Sequence, residues 1–511
     1  MEYLGQMLER NARELPDRTF IIADGVSLTY RDFARQTARL AHVLAARGVG
    51  KSDRVGLYLP SNPWMAIGFW ACQQLGAVPA PLSAMFRHDE LRKVIANTGL
   101  SALIMDDGTY PYFSQIESEF GDLPCLVAGD CVTEDRRLET LMAGASDSFD
   151  NVPCARDDTA ALFFTSGTTG TPKGIAQSQF ATCSSLRDMM VSHRSRYGEE
   201  VYLCAVPLFT NFGLTVTLNL CLYTGGTIVL HERWDTERVL ADIARHRATY
   251  FGGTPTMYVY MVNDYDAERH DLSSLRLCTT GGSPVPQSVV QRFEAVTGAR
   301  VIQVYGSTET LGQCVMEPSA GIRKPGSAGL PVGSSRIAIV GDSGDEVPSG
   351  TIGEVVIGGD CVSEGYFGDP DATSAAFTAR GWASGDLGYL DADGYLYIVD
   401  RKKDVIIAGG HNIYPIEVET LLYQHPAVAM CAVVGIPDES KGEIPVAVIV
   451  RAAGRATTEA EFNAFCREHL SAYKVPRQFH FIDAMPVEAA KIRKRDLVTA
   501  LRDGSLDTYR N

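Results

Sequence analysis

The sequence predicts an α/β fold in two parts. A large N-terminal domain of helix-covered parallel-type sheets with a β-rich subdomain spans 1–402, and a small α+β C-terminal domain spans 403–511. Three observations carry this reading. Short apolar runs alternate with helix-like segments as far as about residue 304. After about Ser319 the texture changes to short strands and turns rich in Gly, Asp and Pro, through Gly394. From about Asp404 helix and strand signals return in a compact unit.

Taken in order, residues 55–59 read as a buried strand, and Ser61-Asn62-Pro63 supplies a cap and a first-turn proline for a helix reaching about Leu75. Gly76 stops that helix, and the apolar run 77–82 follows. A helix near 89–97 leads to a strand at 102–105, and the apolar run 160–164 reads as another buried strand. The alternation returns as strand 227–230, helix 235–246 and strand 249–251, then as strand 275–279, helix 286–297 and strand 301–304. In the last unit, helices are expected at 415–423 and 459–470, with strands at 428–434 and 445–450.

The 511 residues suit roughly three domains, or one large domain and a smaller one. Hydrophobic residues at 45% and charged residues at 21% are ordinary for a globular protein. A formal charge of −16 argues against a nucleic-acid groove, while leaving room for a local basic nucleotide pocket. Twelve cysteines are scattered singly from Cys72 to Cys466, with no Cys-x-x-Cys pair and no His/Cys metal spacing, which reads as free thiols in a reducing compartment. The charged start lacks a signal-peptide core, no apolar run approaches the roughly 18 residues of a membrane span, and DTYRN is not a peroxisomal address. The expected location is the cytoplasm.

The most informative stretch is TSGTTGTPKG, 165–174. Gly167, Gly170 and Gly174 let the backbone approach a ligand closely; Thr165, Ser166, Thr168 and Thr169 add hydroxyls; Lys173 adds one mobile positive charge. That inventory suits a loop wrapping polyphosphate. It differs from the P-loop of kinases and GTPases, because Lys173 follows Pro172 and precedes Gly174 where that motif needs Gly-Lys-Ser/Thr.

Downstream come VYGSTE (304–309), WASGD (382–386), DRKKDVIIAGGHNIYPIEVE (400–419), and Lys491 within MPVEAAKIRKRDL (485–497). In this order and over nearly the whole chain, the set resembles the adenylate-forming enzymes: acyl- and aryl-CoA synthetases, firefly luciferase and peptide-synthetase adenylation domains. The resemblance implies two half-reactions. A carboxylate attacks the α-phosphorus of ATP to give an acyl-adenylate and pyrophosphate, and a thiol, usually that of coenzyme A, then displaces AMP to give a thioester.

The resemblance also implies roles, which the chemistry of the residues suits. The 165–173 loop would hold the β- and γ-phosphates, Glu309 would hold Mg²⁺ through carboxylate oxygen, and Thr308 would contact the α-phosphate. Asp386 and Arg401 would take the ribose hydroxyls; Gly281, Gly282 and Ser283 would lie along the adenine, with Tyr305, followed by Gly306, stacked on its other face. Lys491, on a mobile C-terminal unit, would bridge the substrate carboxylate and the α-phosphate. Its segment departs from the family: the proline-to-lysine spacing differs by one residue, and Ala490 replaces the usual glycine. Lys403 matches the hinge about which that unit turns after adenylation, and Gly409-Gly410 would leave room for the pantetheine arm of CoA.

VPLFTNFG, 206–213, matches the family segment bordering the acyl pocket, with Thr210 in place of the usual histidine. Thr210 cannot supply the carboxylate that amino-acid-activating relatives use there, which disfavours an α-amino acid. Phe209, Phe212, Gly252, Gly253, Tyr258 and Leu311 are further pocket candidates, although core packing is an equal reading for Phe212 and Tyr258. None of these segments offers Arg or Lys to a second carboxylate, so the expected partner is a monocarboxylic acid with an aliphatic or aromatic apolar body. ATP, Mg²⁺ and CoA are the expected co-substrates. An acyl-AMP ligase loading a separate carrier protein, a nucleotide-binding regulatory protein and a luciferase-type oxidation stay open, as does a homodimer.

Overall fold

The computed structural model describes residues 3–165, 173–283, 285, 287–452, 454–455, 457–488 and 491–509, the side chains of Glu488 and Lys491 excepted. Its largest sheet has nine strands. Six of them, Arg300–Tyr305, Leu277–Thr280, Tyr250–Gly253, Val201–Cys204, Thr227–Leu230 and Thr19–Ala23, lie side by side and parallel. Antiparallel strands finish both edges: Val26–Thr29 on one side, Val315–Met316 and Leu330–Pro331 on the other. Thr227–Leu230, Tyr250–Gly253 and Leu277–Thr280 are buried at every position, as parallel strands covered on both faces require.

A second, wholly parallel sheet has the order Val78–Leu82, Arg54–Tyr58, Ala102–Asp106, Cys125–Ala128. Pro63–Leu75, between its first two strands in the chain, shows why the local signals were readable: Asn62 Oδ1 accepts from Met65 N at 3.2 Å, and Gly76 closes the helix at φ 68°. Asp235 caps Thr236–His246 in the same way, accepting from Arg238 N at 3.0 Å. Thr159–Thr165 and Lys173–Ser178 form an antiparallel pair in which Thr165 lies opposite Lys173.

The β-rich stretch pairs Arg336–Val340, Gly353–Gly358, Gly381–Leu390 and Leu396–Arg401 in antiparallel fashion. The C-terminal unit has its own five-stranded sheet, including Val428–Asp438 and Gly442–Arg451, and its own apolar core around Val418, Val433, Ile449 and Phe462. Among the described residues, no helix is long and apolar enough to cross a membrane.

Candidate active site

The site candidates gather where neighbouring parallel strands end. Tyr250–Gly253, Leu277–Thr280 and Arg300–Tyr305 deliver Gly252-Gly253, Gly281-Gly282 and Tyr305-Gly306 at their carboxyl ends, and the chain leaving Val201–Cys204 runs into 209–212. Open α/β sheets bind ligands along this edge. Gly306 has a steric reason to be glycine, because a Cβ there would come within 2.6 Å of the Gly312 carbonyl oxygen.

Thr308–Thr310 is a single 3₁₀ turn directly after that strand, and it buries Glu309 to 8% exposure. Glu309 Oε1 accepts a hydrogen bond from the Tyr366 hydroxyl at 3.2 Å. The ring of Tyr366 also carries the Lys173 ammonium, 4.7 Å from its centroid. Tyr366 therefore joins the lysine of the glycine-rich segment to the carboxylate that sequence reasoning assigned to Mg²⁺. Its phenol is pushed up to about 12 by burial and then by the Glu309 charge, so it remains a proton donor at neutral pH. Tyr366 was missed in the sequence because it sits in turn-rich GYFGDP, 365–370, with no periodic signal.

A second group forms around Asp386. Its Oδ2 accepts from the Tyr305 hydroxyl at 2.7 Å, and its Oδ1 lies 3.3 Å from Arg401 Nε, the two residues being cross-strand neighbours. Burial and then the Asp386 charge raise the Tyr305 phenol well above its ordinary value, which keeps it neutral and donating. Gly282 and Ser283 are exposed beside Gly281, which is buried.

Among the acyl-pocket candidates, Phe212 opens a π-helical run, Phe212–Asn219. Thr210 Oγ1 donates to the Pro207 carbonyl at 2.7 Å and accepts from Gly213 N at 3.1 Å, so its hydroxyl is committed to the turn. Two of the pocket candidates have a definite setting in the fold. Gly253 lies on the strand face shared with Phe251 and Met257, whereas the position a Gly252 Cβ would take is 3.3 Å from Phe212 Cε2, so of the two glycines Gly252 is the one that faces Phe212. Tyr258 is a core residue, 1% exposed, with its hydroxyl on the Thr279 and Phe251 carbonyls and its ring edge-on to Phe251 and Phe293. Phe209 is half-buried, and Leu311 is fully buried at φ 56°. Behind this wall His193 stacks on Tyr250, 5.4 Å between centroids, and burial lowers its pKa to about 4, so it is neutral there.

In the C-terminal unit Gly409 and Gly410, at φ 58° and 81°, make the two-residue turn between Ile406–Ala408 and His411–Ile413. They are exposed, and nothing lies within 4 Å of either Cβ position. Beside them is a cavity of about 320 Å³ lined by Gly409, His411, Lys441, Tyr473 and Arg477 among others. Lys403 is exposed in the turn after Leu396–Arg401. Lys491 pairs through its backbone with Glu488 in a short hairpin, while its side chain, like residues Ser166, Gly167, Thr168, Thr169 and Gly170, lies outside what the structure describes.

Asp400, just before that turn, is 2% exposed; its two oxygens accept from Arg401 N at 2.7 Å and from Ile416 N at 2.9 Å. Burial raises its pKa to about 6, with Lys494 among the groups opposing the rise. Since the folded value exceeds the usual value of about 3.9 for an unfolded chain, the stability linked to protonated Asp400 is complete below about pH 4 and lost as pH rises through about 6. Wild type should therefore lose melting temperature relative to Asp400→Asn, which keeps a neutral group there, as pH rises from 4 through 6; a difference independent of pH would contradict the assignment.

The model of the AMP-binding enzyme family matches residues 8–367, and that of the AMP-binding enzyme C-terminal domain matches residues 417–491. The chain belongs to the AMP-binding enzyme family. A feruloyl-CoA synthase from Amycolatopsis sp is 36% identical over 500 residues, covering 97% of this chain and 98% of that protein. Among solved structures, the anthranilate CoA ligase AuaEII with anthranoyl-AMP superposes with a TM-score of 0.91 at 27% identity, covering 98% of each chain. ATP-bound MatB from Rhodopseudomonas palustris gives a TM-score of 0.90 at 28% identity, covering 98% of this chain and 99% of that one. The protein is an ATP-dependent, AMP-forming acid–CoA ligase of this family, with ATP, Mg²⁺ and CoA as co-substrates.

Proposed function

We propose that this AMP-binding enzyme ligates a monocarboxylic acid with an aromatic body to CoA. The observation that carries the choice is the pair of half-buried rings, Phe209 and Phe212, on the segment that leaves Val201–Cys204. Aromatic rings prefer offset-stacked or edge-on aromatic partners, and the similarity to a feruloyl-CoA synthase points the same way. No lysine or arginine stands among Phe209, Thr210, Asn211, Phe212, Gly252 and Leu311 to pair with a second carboxylate. A panel of ferulate, benzoate, octanoate and succinate with ATP, Mg²⁺ and CoA, read by pyrophosphate release and thioester mass, tests this. Ferulate or benzoate should lead, and preference for octanoate or succinate would overturn the reading.

Within this reading Lys173 and the 165–173 segment take the β- and γ-phosphates, and Thr308 the α-phosphate. Asp386 and Arg401 take the ribose, and Gly281, Gly282, Ser283 and Tyr305 flank the adenine with Gly306 behind. Lys491 neutralises charge as the adenylate forms. Glu309 suits Mg²⁺, since this ion is usually held by one or two carboxylates with substrate phosphates completing its shell, and the Tyr366 hydroxyl fixes one of its oxygens. When bound, the ion would neutralise phosphate charge. Tyr366→Phe keeps the ring under Lys173 but removes the donor; because hydrogen bonds to charged groups are worth about 1.5–3 kcal/mol, half-maximal adenylation should need roughly tenfold more Mg²⁺. A Mg²⁺ titration of pyrophosphate release checks this.

The domain boundary and hinge fall at Lys403. The cavity beside Gly409-Gly410 supports a CoA route, because Lys441 and Arg477 offer charge to phosphates and the His411–Tyr473 stack, 4.8 Å between centroids, offers a flat face. Twelve free cysteines support a reducing, cytoplasmic location.

A further inference from the structure

Gln177 belongs to none of the roles assigned above, yet it joins three parts of the site. It is fully buried in Lys173–Ser178, the strand that leaves the glycine-rich segment. Its Nε2 donates to Asn211 Oδ1 at 3.1 Å and to the Thr308 carbonyl at 3.0 Å. Asn211 stands between Thr210 and Phe212 on the acyl side, is 4% exposed, and also accepts from Thr215 Oγ1 at 2.7 Å. The Asn211 amide lies against the far end of the Thr308 turn, since a Cβ on Gly312 would come 2.8 Å from Asn211 Nδ2. Thr308 O also accepts from Leu311 N at 3.2 Å, a bond inside its own turn; Gln177 reaches it from the neighbouring hairpin.

Stability alone gives no reason for this arrangement. Gln177 Oε1 and Asn211 Nδ2 are buried without a hydrogen-bond partner among the described residues, and a buried orphan polar atom costs free energy. A methionine at 177 would fill nearly the same volume without the Oε1 orphan. A network that is destabilising in part, and that spans phosphate strand, acyl wall and Thr308 turn, has its use in geometry.

We propose that Gln177 is a positioning residue for adenylate formation: it sets the Thr308–Glu309 turn against the acid-binding wall by holding the Thr308 carbonyl and Asn211 with one amide. This rests on the roles proposed above for Thr308, Glu309 and 209–212. The bonds run through buried side chains, so their loss would shift reacting groups without removing any of them. Misplacement on the order of 1 Å costs about a hundredfold in rate.

The test uses full-length Gln177→Met, with Gln177→Leu as a second variant and Thr308→Ala as reference. Adenylation is followed by pyrophosphate release with ferulate, ATP and Mg²⁺, thioester formation by CoA transfer from synthetic feruloyl-AMP, and folding by melting temperature. For Gln177→Met, kcat for adenylation should fall roughly ten- to a hundredfold. The KM for ATP should change little, the melting temperature should hold or rise, and transfer from feruloyl-AMP should be unchanged. Combining Gln177→Met with Asn211→Leu should give less than the product of the separate losses. Wild-type kcat in Gln177→Met while Thr308→Ala is impaired would overturn the proposal, as would equal losses in both half-reactions with a lowered melting temperature. An unimpaired Thr308→Ala would instead overturn the placement of Thr308 on which it rests.

Discussion

Lys491→Ala should slow acyl-adenylate formation by about 100- to 1,000-fold, the range for removing one preorganised group that stabilises charge in a transition state. A pre-made acyl-adenylate should still pass to CoA. The reasoning is electrostatic: attack of a carboxylate on the α-phosphorus brings two anions together, and an ammonium between them acts where charge accumulates. The basic run 491–495 offers several cations, but its members differ. Lys494 Nζ is 2.7 Å from Glu419 and Arg493 Nε is 3.1 Å from Asp496, so both are engaged within the C-terminal unit. Ile492, next to Lys491, packs against the cluster of Met485, Leu497 and Ala500, which anchors the short hairpin. Single-turnover measurement of each half-reaction decides the matter, and equal loss in both would contradict the role.

Lys403→Pro should stall thioester formation by roughly a hundredfold while slowing adenylation much less, on the scale expected when a reacting group is misplaced. Proline fixes φ near −65° at its own position and pushes the preceding residue, Lys402, out of the helical region. Lys402 is held in the resting turn, its N donating to Gly385 O at 2.8 Å and its Nζ lying 2.9 Å from Glu354, and Asp404 N donates to Arg401 O at 2.9 Å. A hinge must leave such a geometry. Comparing ATP-dependent pyrophosphate release with CoA transfer from a synthetic adenylate gives the two rates, and a uniform loss accompanied by a lower melting temperature would indicate misfolding instead.

Much of the fold was readable because its signals are local. The cap at Asn62, the stop at Gly76 and the fully buried four-residue strands are each written in a few consecutive residues. The antiparallel edge strands and the π-helical turns at Phe212 carry no comparable period. In the site, Asp386, Tyr305 and Arg401 were named from motifs, and they meet. Choosing between Gly252 and Gly253 needed the strand face, which two adjacent glycines do not reveal. Tyr366 and Gln177 were invisible for another reason: their hydrogen bonds join residues 57 and 131 positions apart, and a lone tyrosine or glutamine gives no hint of so distant a partner.

Asp400 stands before Lys403, the proposed pivot, in the chain, while Ile416 and Lys494, the donor and the cation it faces, come after it. A turn about that proposed pivot would strip a shielded carboxyl of its amide and let solvent in to replace it. On that reading the observed pose would act like a sprung catch, released as water reaches one aspartate.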